Sequence, residues 1–462
     1  MDKDKAEAPA KAPLELETRK ISTLLKEYAV PGIIAMTASS LYNMVDSIYI
    51  GHIPGSGSLA ISGLAVTFPI MNLGTDIGTL VGVGASTLVS ILLGQKNYTT
   101  ANKVLPNVIS LNVILGGLFS LLVLAFLKPV LYFFGASDSI YPFARDYMVI
   151  ILAGFIVTHL YFAMNSMIRS TGNPRLAMNL TLFTVIANAV LDPIFIFVLG
   201  LGVKGAAIAT VLCQTLSLAY SILYFSSAKR VVHFGKRIFG FSAKIARTSL
   251  GIGLGPFLMN SAACLVALFI NQQLRVHGGD LAIGAYGIIN RFSFLFSRII
   301  MGLNQGMQPI ASYNYGARCG GRVKEVYLLT VKWASLVSFL GFVMSEFFPG
   351  AAVSLFTSDP ELKGLAVHGM RIMNVALPII GFQIVSTNLF QCLGMVRKSV
   401  FLSLTRQLIF LLPALYLLPM RFGIEGVWAS YPASDLVSFI LTAILTVRLI
   451  RQLEKHESIR LQ

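Results

Sequence analysis

The sequence predicts an all-α polytopic membrane protein, with twelve transmembrane helices in two six-helix lobes related by pseudo-two-fold symmetry. Three observations predict it. The 462 residues are 55% apolar and only 12% charged, where a soluble domain carries about 25% charged residues. Apolar runs recur along the whole chain, each of about 20 residues, the length that crosses a bilayer. They lack the alternating period of a barrel strand, so helices are the expected way to satisfy their backbone in lipid. Finally, the second half repeats the first at an offset of about 222 residues.

Residues 1–27 form a charged, Ala/Pro-rich stretch, expected to be a disordered cytoplasmic tail with no cleavable signal, the first span serving as its own anchor. The first six spans are expected at 28–50, with Asp46, at 60–92, with Asp76, at 104–127, at 140–168, with Tyr147 and His159, at 175–199, with Asn188 and Asp192, and at 205–227, with Thr210. They make an N-terminal lobe over 28–227, followed by a basic linker over 228–245. A C-terminal lobe over 246–448 has spans at 246–273, 281–312, 325–348, 365–391, 400–420 and 424–448, and a cytoplasmic tail closes the chain over 449–462.

The net charge of +16 raises the question of nucleic acid, and its distribution answers it. With the N-terminus placed in the cytoplasm, the tails and the loops on that side hold 25 of the 36 Lys and Arg residues, the opposite loops 5 and the spans 6. The stretch from Ser227 to Arg247 alone carries Lys229, Arg230, Lys236, Arg237, Lys244 and Arg247, and no acid. That is the positive-inside pattern of a multi-pass protein with both termini cytoplasmic. Contact with anionic membrane lipids is a secondary use of the same charges, and no nucleic acid partner is expected. Of four cysteines, Cys213, Cys264 and Cys392 fall in spans and Cys319 in a loop, which gives neither a disulfide framework nor a zinc spacing.

The repeat extends into the loops. Leu59-Ala60-Ile61 returns as Leu281-Ala282-Ile283, Gly94 as Gly316, Gly172 as Gly394 and Arg175 as Arg397, all at 222. Gly202 and Gly205 return as Gly423 and Gly426 at 221, and Pro31 as Pro256 at 225. Apolar helices resemble one another by composition, but matched glycines and arginines in loops do not arise that way. Six spans per repeat is an even number, so both halves insert in the same orientation. Such parallel repeats are characteristic of secondary transporters, with the substrate path between halves that rock against each other.

Asp46 and Asp192 break the repeat, since Asn271 and Ala414 stand in their places. An ionisable group in a span costs roughly 2.5–3.5 kcal/mol on insertion scales and marks function by default. Counted from Tyr28 and Arg175, each lies about 17–18 residues into its helix, or about 26 Å at 1.5 Å per residue. Both therefore sit in the outer part of a core about 30 Å thick, at one depth. Asn188 lies one turn before Asp192 on the same face, and Pro193 frees the carbonyl of Ala189. Tyr147 and Thr210 reach a similar depth from the outer side. Two carboxylates, an amide, a phenol and a hydroxyl can thus cluster in one lobe. Hard oxygen ligands of this kind suit a small alkali ion, with Asp46, Asn188, Asp192 and Thr210 as candidate ligands. A carboxyl withdrawn from water equally favours its neutral form and can carry H⁺. Against these stand plainer uses: Asp192 capping a Pro kink, Asp46 and Asn188 joining helices, Tyr147 as an interfacial anchor, and Thr210 bonded to its own backbone.

Asp76 and Arg298 are repeat partners at 222 with opposite charge. Pseudo-symmetry makes them a candidate lobe-interface pair, joined in one state and parted in the other, beside the plainer reading of polar residues lining a wet cleft. Asp435 reads as a local polar contact in the last span. His159, alone in the fourth span, reads as a packing or hydrogen-bonding residue. Phe and Met residues such as Phe68, Met71, Phe292 and Met301 read mainly as packing, some of them as walls of an adaptable cavity.

At this point the chain resembles the multidrug and toxic compound extrusion (MATE) transporters, in their MepA-like branch. The resemblance rests on Val45-Asp46-Ser47-Ile48-Tyr49-Ile50-Gly51, Ser170-Thr171-Gly172-Asn173-Pro174-Arg175, Leu191-Asp192-Pro193-Ile194-Phe195-Ile196-Phe197 and Gly202-Val203-Lys204-Gly205-Ala206-Ala207, within a likeness running from about 25 to 450. It implies a secondary active antiporter of a bacterial inner membrane, needing no cofactor and working as a monomer. It also implies export of amphipathic, often cationic small molecules in exchange for Na⁺ or H⁺, with a cation site matching Asp46, Tyr147, Asn188, Asp192 and Thr210. Some members couple through an acid in the seventh span; here 246–273 has none, and Asn260 and Asn271 are its central polar residues.

The alternative reading is a flippase for a lipid-linked saccharide. It needs a groove rich in cations for pyrophosphate, and the spans offer only Arg145, Arg291, Arg298, Lys332, Arg371 and Arg406. A membrane enzyme needs a metal or nucleophile constellation. The six histidines, His52, His159, His233, His277, His368 and His456, have no ligand-spaced partners.

Overall fold

The computed structural model describes residues 12–235, 238–357 and 359–461, and the chain is helical nearly throughout, with no strand among these residues. The helices run α1 (Ala12–Thr18), α2 (Ile21–Gly51), α3 (Gly57–Gly94), α4 (Tyr98–Ala125), α5 (Leu127–Phe133), α6 (Tyr141–Ser170), α7 (Pro174–Pro193), α8 (Val203–Ser226), α9 (Ala243–Gly316), α10 (Gly320–Phe347), α11 (Pro349–Ser354), α12 (Pro360–Asn374), α13 (Leu377–Cys392), α14 (Val396–Leu404) and α15 (Leu412–Leu461). Two π-helical turns, Ile194–Val198 after α7 and Thr405–Leu411 after α14, complete the order.

Among the described residues this gives the expected twelve spans. Eight helical stretches are each long and apolar enough to cross a membrane, and α12 with α13, bent by 52° between them, make a ninth. The last stretch, Val396–Glu454, breaks at Gly423 into two spans. The other two are α2 and the second arm of α9, which breaks at Gly279. The outward faces are as apolar as the inward ones. On α4, Ile114, Leu118, Leu121 and Leu122 are exposed at i, i+4, i+7 and i+8, while Val108, Leu111, Asn112 and Gly116 are buried. A helix with apolar residues all round is at home only in lipid.

The chain forms two compact units. The first comprises residues up to Lys20, Thr37–Gly253 and Ser312–Ala317; the second comprises Ile21–Met36, Leu254–Ala311 and Arg318–Gln462. The first half of α2 thus belongs to the second unit, where it packs on the second arm of α9. A Cβ on Gly32 would lie 2.6 Å from the Gly302 carbonyl oxygen, and one on Gly302 would lie 2.5 Å from Ile33 Cα. The repeat counterpart of that segment, the start of α9, belongs to the first unit, where a Cβ on Gly253 would lie 1.9 Å from the Leu80 carbonyl oxygen of α3. Small residues let backbones approach where lipid supplies no hydrophobic drive between helices.

Backbone geometry carries the repeat too. Gly202, before α8, has φ 56° and ψ −133°; its partner Gly423 has φ 56° and ψ −135°, a region essentially reserved for glycine. Among the described residues, Lys96 and Arg318, partners at 222, are the positive-φ non-glycine residues, at 58° and 60°. Lys96 closes α3: its N–H donates to Leu93 O at 3.0 Å and that of Asn97 to Leu92 O at 2.9 Å. Asn97 then caps α4 by accepting from Thr100 N at 3.1 Å. Asn173 does the same for α7 from Leu176 N at 3.2 Å, with Pro174 at the first helical position.

One expectation is corrected here. Residues 12–27 were expected in a disordered tail, yet α1 and the start of α2 are helical, with Leu16 buried and its carbonyl accepting from Asn314 Nδ2 at 3.1 Å. That buried contact supplies the order a charged segment lacks by composition; residues 1–11 lie outside the described residues. The basic linker is strapped to one face of α4: Asn102 Oδ1 accepts from His233 N, Asn107 Nδ2 donates to Ser242 O and Ser110 Oγ accepts from Gly240 N, at 3.1, 3.1 and 3.2 Å. Its Lys236 and Arg237 lie outside the described residues.

Candidate cation site

The five residues singled out in sequence come together inside the first unit. Asp46 comes from the second half of α2, Tyr147 from α6, Asn188 and Asp192 from α7 and Thr210 from α8. All are buried, Asp192 completely. The end of α7 fixes the two that matter most. Pro193 has no N–H, and the chain leaves by a π-turn in which Leu199 N donates to Ile194 O at 2.9 Å.

Asn188 is the joint of the cluster. Its Nδ2 donates to Asp192 Oδ1 at 3.1 Å and to Thr210 Oγ1 at 3.3 Å. Its Oδ1 is buried with no hydrogen-bond partner among the described residues. The carboxyls of Asp46 and Asp192 are within hydrogen-bonding reach of each other, and Tyr147 lies in the field of both. Two buried carboxylates in contact repel unless a proton or a cation lies between them. The orphaned amide oxygen, the two carboxyls and the Thr210 hydroxyl form an oxygen-only donor set suited to a hard monovalent ion.

Sequence reasoning missed Cys213. It is fully buried and lies in the field of both carboxyls, three residues from Thr210 on the same face of α8. That spacing was the available signal. His159 packs between helices, fully buried in a slot where Cβ atoms on Gly78 and Gly116 would each lie 2.9 Å from its ring. Among the described residues no group of three His, Cys, Asp or Glu side chains has a metal-ligating arrangement.

The second unit carries buried charge of its own, and the local polar contact expected of Asp435 is an ion pair. Asp435 is 2% exposed and accepts from Arg406 Nε at 2.6 Å, with Ser434 Oγ donating to the Arg406 carbonyl at 2.8 Å. Tyr431, the repeat partner of Thr210, joins hydroxyls with Tyr286 at 2.8 Å and lies in the field of that ion pair. Arg298 stacks on Phe294 at 4.2 Å and approaches Met36 Sδ at 4.0 Å. Asp76 belongs to the first unit and Arg298 to the second.

A twelve-span, two-unit helical protein with a buried acidic cluster in one unit has the build of a secondary transporter. The chain belongs to the MatE family, whose family model matches residues 31–194 and again residues 252–417. The two matched stretches start 221 residues apart, the spacing of the internal repeat. Curated relatives include the multidrug export protein MepA of Staphylococcus aureus (strain MSSA476), 28% identical over 437 residues, 94% of this chain and 95% of that protein. MepA of Staphylococcus haemolyticus (strain JCSC1435) is 26% identical over 430 residues, 93% and 94% of the two chains. Among solved structures, an outward-facing multidrug resistance MATE family transporter of the MOP superfamily superposes with a TM-score of 0.89 at 24% identity, over 97% of this chain and all of that one. A MATE protein in the bent conformation gives 0.90 at 24% identity, over 98% of this chain and all of that one. These structures have the same fold. Members of the family are transporters, and the chain is not an enzyme.

Proposed function

We propose that the chain is a secondary active multidrug efflux antiporter that exports amphipathic, often cationic compounds in exchange for Na⁺ or H⁺ by alternating access. The export of many drugs is supported by the similarity to MepA proteins along nearly the whole chain. The observation that carries the coupling is the carboxyl pair Asp46–Asp192, tied through Asn188 to Thr210 in one unit and absent from its repeat. A positively charged drug and the coupling cation compete for those carboxyls. When Na⁺ or a proton neutralises them, the drug loses its counter-charge and leaves outward.

In this reading Asp46, Asn188, Asp192 and Thr210 hold the ion and Tyr147 walls the site. The protein works as a monomer in a bacterial inner membrane, among lipids, with both termini cytoplasmic and without a cofactor. Asp76 and Arg298 pair in one state of the cycle and part in the other, so exchanging their charges restores transport lost by either single change. The test of the main reading is ethidium efflux from vesicles under an imposed Na⁺ gradient and, separately, an imposed pH gradient. Wild type responds to one of them, and Asp192→Asn responds to neither. Efflux by Asp192→Asn that still follows the gradient refutes the assignment.

A further inference from the structure

Below the carboxyl pair, the first unit contains a ladder of polar side chains; Thr158, Thr181 and Thr184 also bond the backbone of their own helices, and the rungs between helices come in addition. Its rungs join α6, α7 and α8. Thr158 Oγ1 donates to Gln214 Oε1 at 2.5 Å. Thr184 Oγ1 lies 2.9 Å from Ser217 Oγ and 3.3 Å from the Tyr161 hydroxyl. Asn165 Nδ2 donates to Ala177 O at 2.8 Å and Thr181 Oγ1 at 3.3 Å, and its Oδ1 accepts from Arg169 at 3.0 Å. On α7 the buried face reads Ala177, Leu180, Thr184, Asn188 and Asp192, one residue per turn. Fifteen residues at 1.5 Å each make about 22 Å of a core about 30 Å thick. The ladder therefore runs from the carboxyls to the end of the lobe where α6 hands over to α7, the side that the positive-inside pattern places in the cytoplasm.

Hydrogen bonds between membrane helices commonly serve only to join them. Joining does not require rungs stacked turn upon turn on three helices, starting at two acids and ending at an arginine. The repeat supplies the contrast. In the second unit Thr184 and Gln214 are replaced by Arg406 and Asp435, locked to each other at 2.6 Å. Asn188 and Asp192 are replaced by Phe410 and Ala414. The equivalent seam there holds a fixed cation of its own and ends on apolar side chains. In the first unit the side chains that bond between helices from Asp192 to Arg169 are hydroxyls, a phenol and amides, groups that can coordinate Na⁺ or relay a proton, with Leu180 the larger apolar residue on the same face of α7.

We infer that the coupling cation leaves the Asp46–Asp192 site toward the cytoplasm through the body of the first unit, along the Gln214–Thr158, Ser217–Thr184–Tyr161 and Asn165–Thr181 rungs. Arg169 is the terminal charge, which swings off Asn165 to let the cation pass. The inference rests on the reading that those carboxyls bind the ion. Drug then needs no shared exit with the ion, and the two leave by separate routes.

The experiment uses the full-length protein, purified for equilibrium ion binding (²²Na⁺, or proton uptake by a pH indicator) and reconstituted for ion-driven ethidium efflux. The double variant Thr184→Val, Gln214→Leu keeps ion binding within about twofold of wild type and slows efflux by about tenfold or more, while Thr184→Ser transports like wild type. Wild-type efflux by the double variant overturns the route. The Na⁺ and proton arms identify which ion uses it. Unchanged binding and efflux in Asp192→Asn instead overturn the underlying site. Should the double variant fail to fold, Ser217→Cys decides. A small cationic thiol reagent applied to the cytoplasmic face modifies position 217, as read by mass spectrometry, and absence of modification overturns the route.

Discussion

At the residue scale, the two units handle buried charge in opposite ways. In the first, Asp192 shares its neighbourhood with a second acid and accepts from the neutral amide of Asn188, which in turn reaches Thr210. In the second, Asp435 has a permanent cation 2.6 Å away. Removing one member of a buried pair leaves the other uncompensated and costs roughly 3–5 kcal/mol, whereas replacing both by apolar groups is close to neutral. Asp435→Ala should therefore lower the melting temperature in detergent sharply, and Arg406→Met with Asp435→Leu should recover most of the loss. Asp192→Asn should leave the melting temperature near wild type, since an amide can still hydrogen-bond Asn188. The acids of the cluster were legible in sequence because a charge in an apolar run is conspicuous. Cys213 and the Arg406–Asp435 pair were not. A cysteine is a common core residue, and a pair 29 positions apart shows only once two helices pack.

At the element scale, glycine positions decide where helices stop. Gly202 and Gly423 hold the same left-handed geometry with open space around them, so an added methyl meets no neighbour and the whole cost is backbone strain. Gly202→Ala should cost about 1–3 kcal/mol, read as a lower melting temperature without a change in packing elsewhere. These glycines were visible as a repeated pair. Lys96 and Arg318 were not recognisable as left-handed residues, because side chains of that type rarely adopt φ near 60° and nothing local announces it. The π-turn after Pro193 was half legible. A proline predicts a freed carbonyl, but not that the chain rewinds with one residue more per turn.

At the scale of the whole molecule, the twelve spans and the repeat followed from composition and spacing, since lipid leaves the backbone almost no alternative to helices. The membership of each segment did not follow. That Ile21–Met36 belongs with the second unit, and residues before Gly253 with the first, depends on close glycine contacts such as Gly32 with Gly302. Hydropathy treats such glycines as ordinary. On the proposed reading, one copy of a duplicated fold carries the coupling chemistry and the other a fixed ion pair. The most direct test of that reading is counter-flow. Proteoliposomes are given an outward ethidium gradient and no ion gradient, and Na⁺ and pH are followed on both sides. Ion movement against the drug is expected for wild type and for the Arg406→Met, Asp435→Leu variant, and none for Asp46→Asn with Asp192→Asn. Undiminished counter-flow in the Asp46→Asn, Asp192→Asn variant would contradict it.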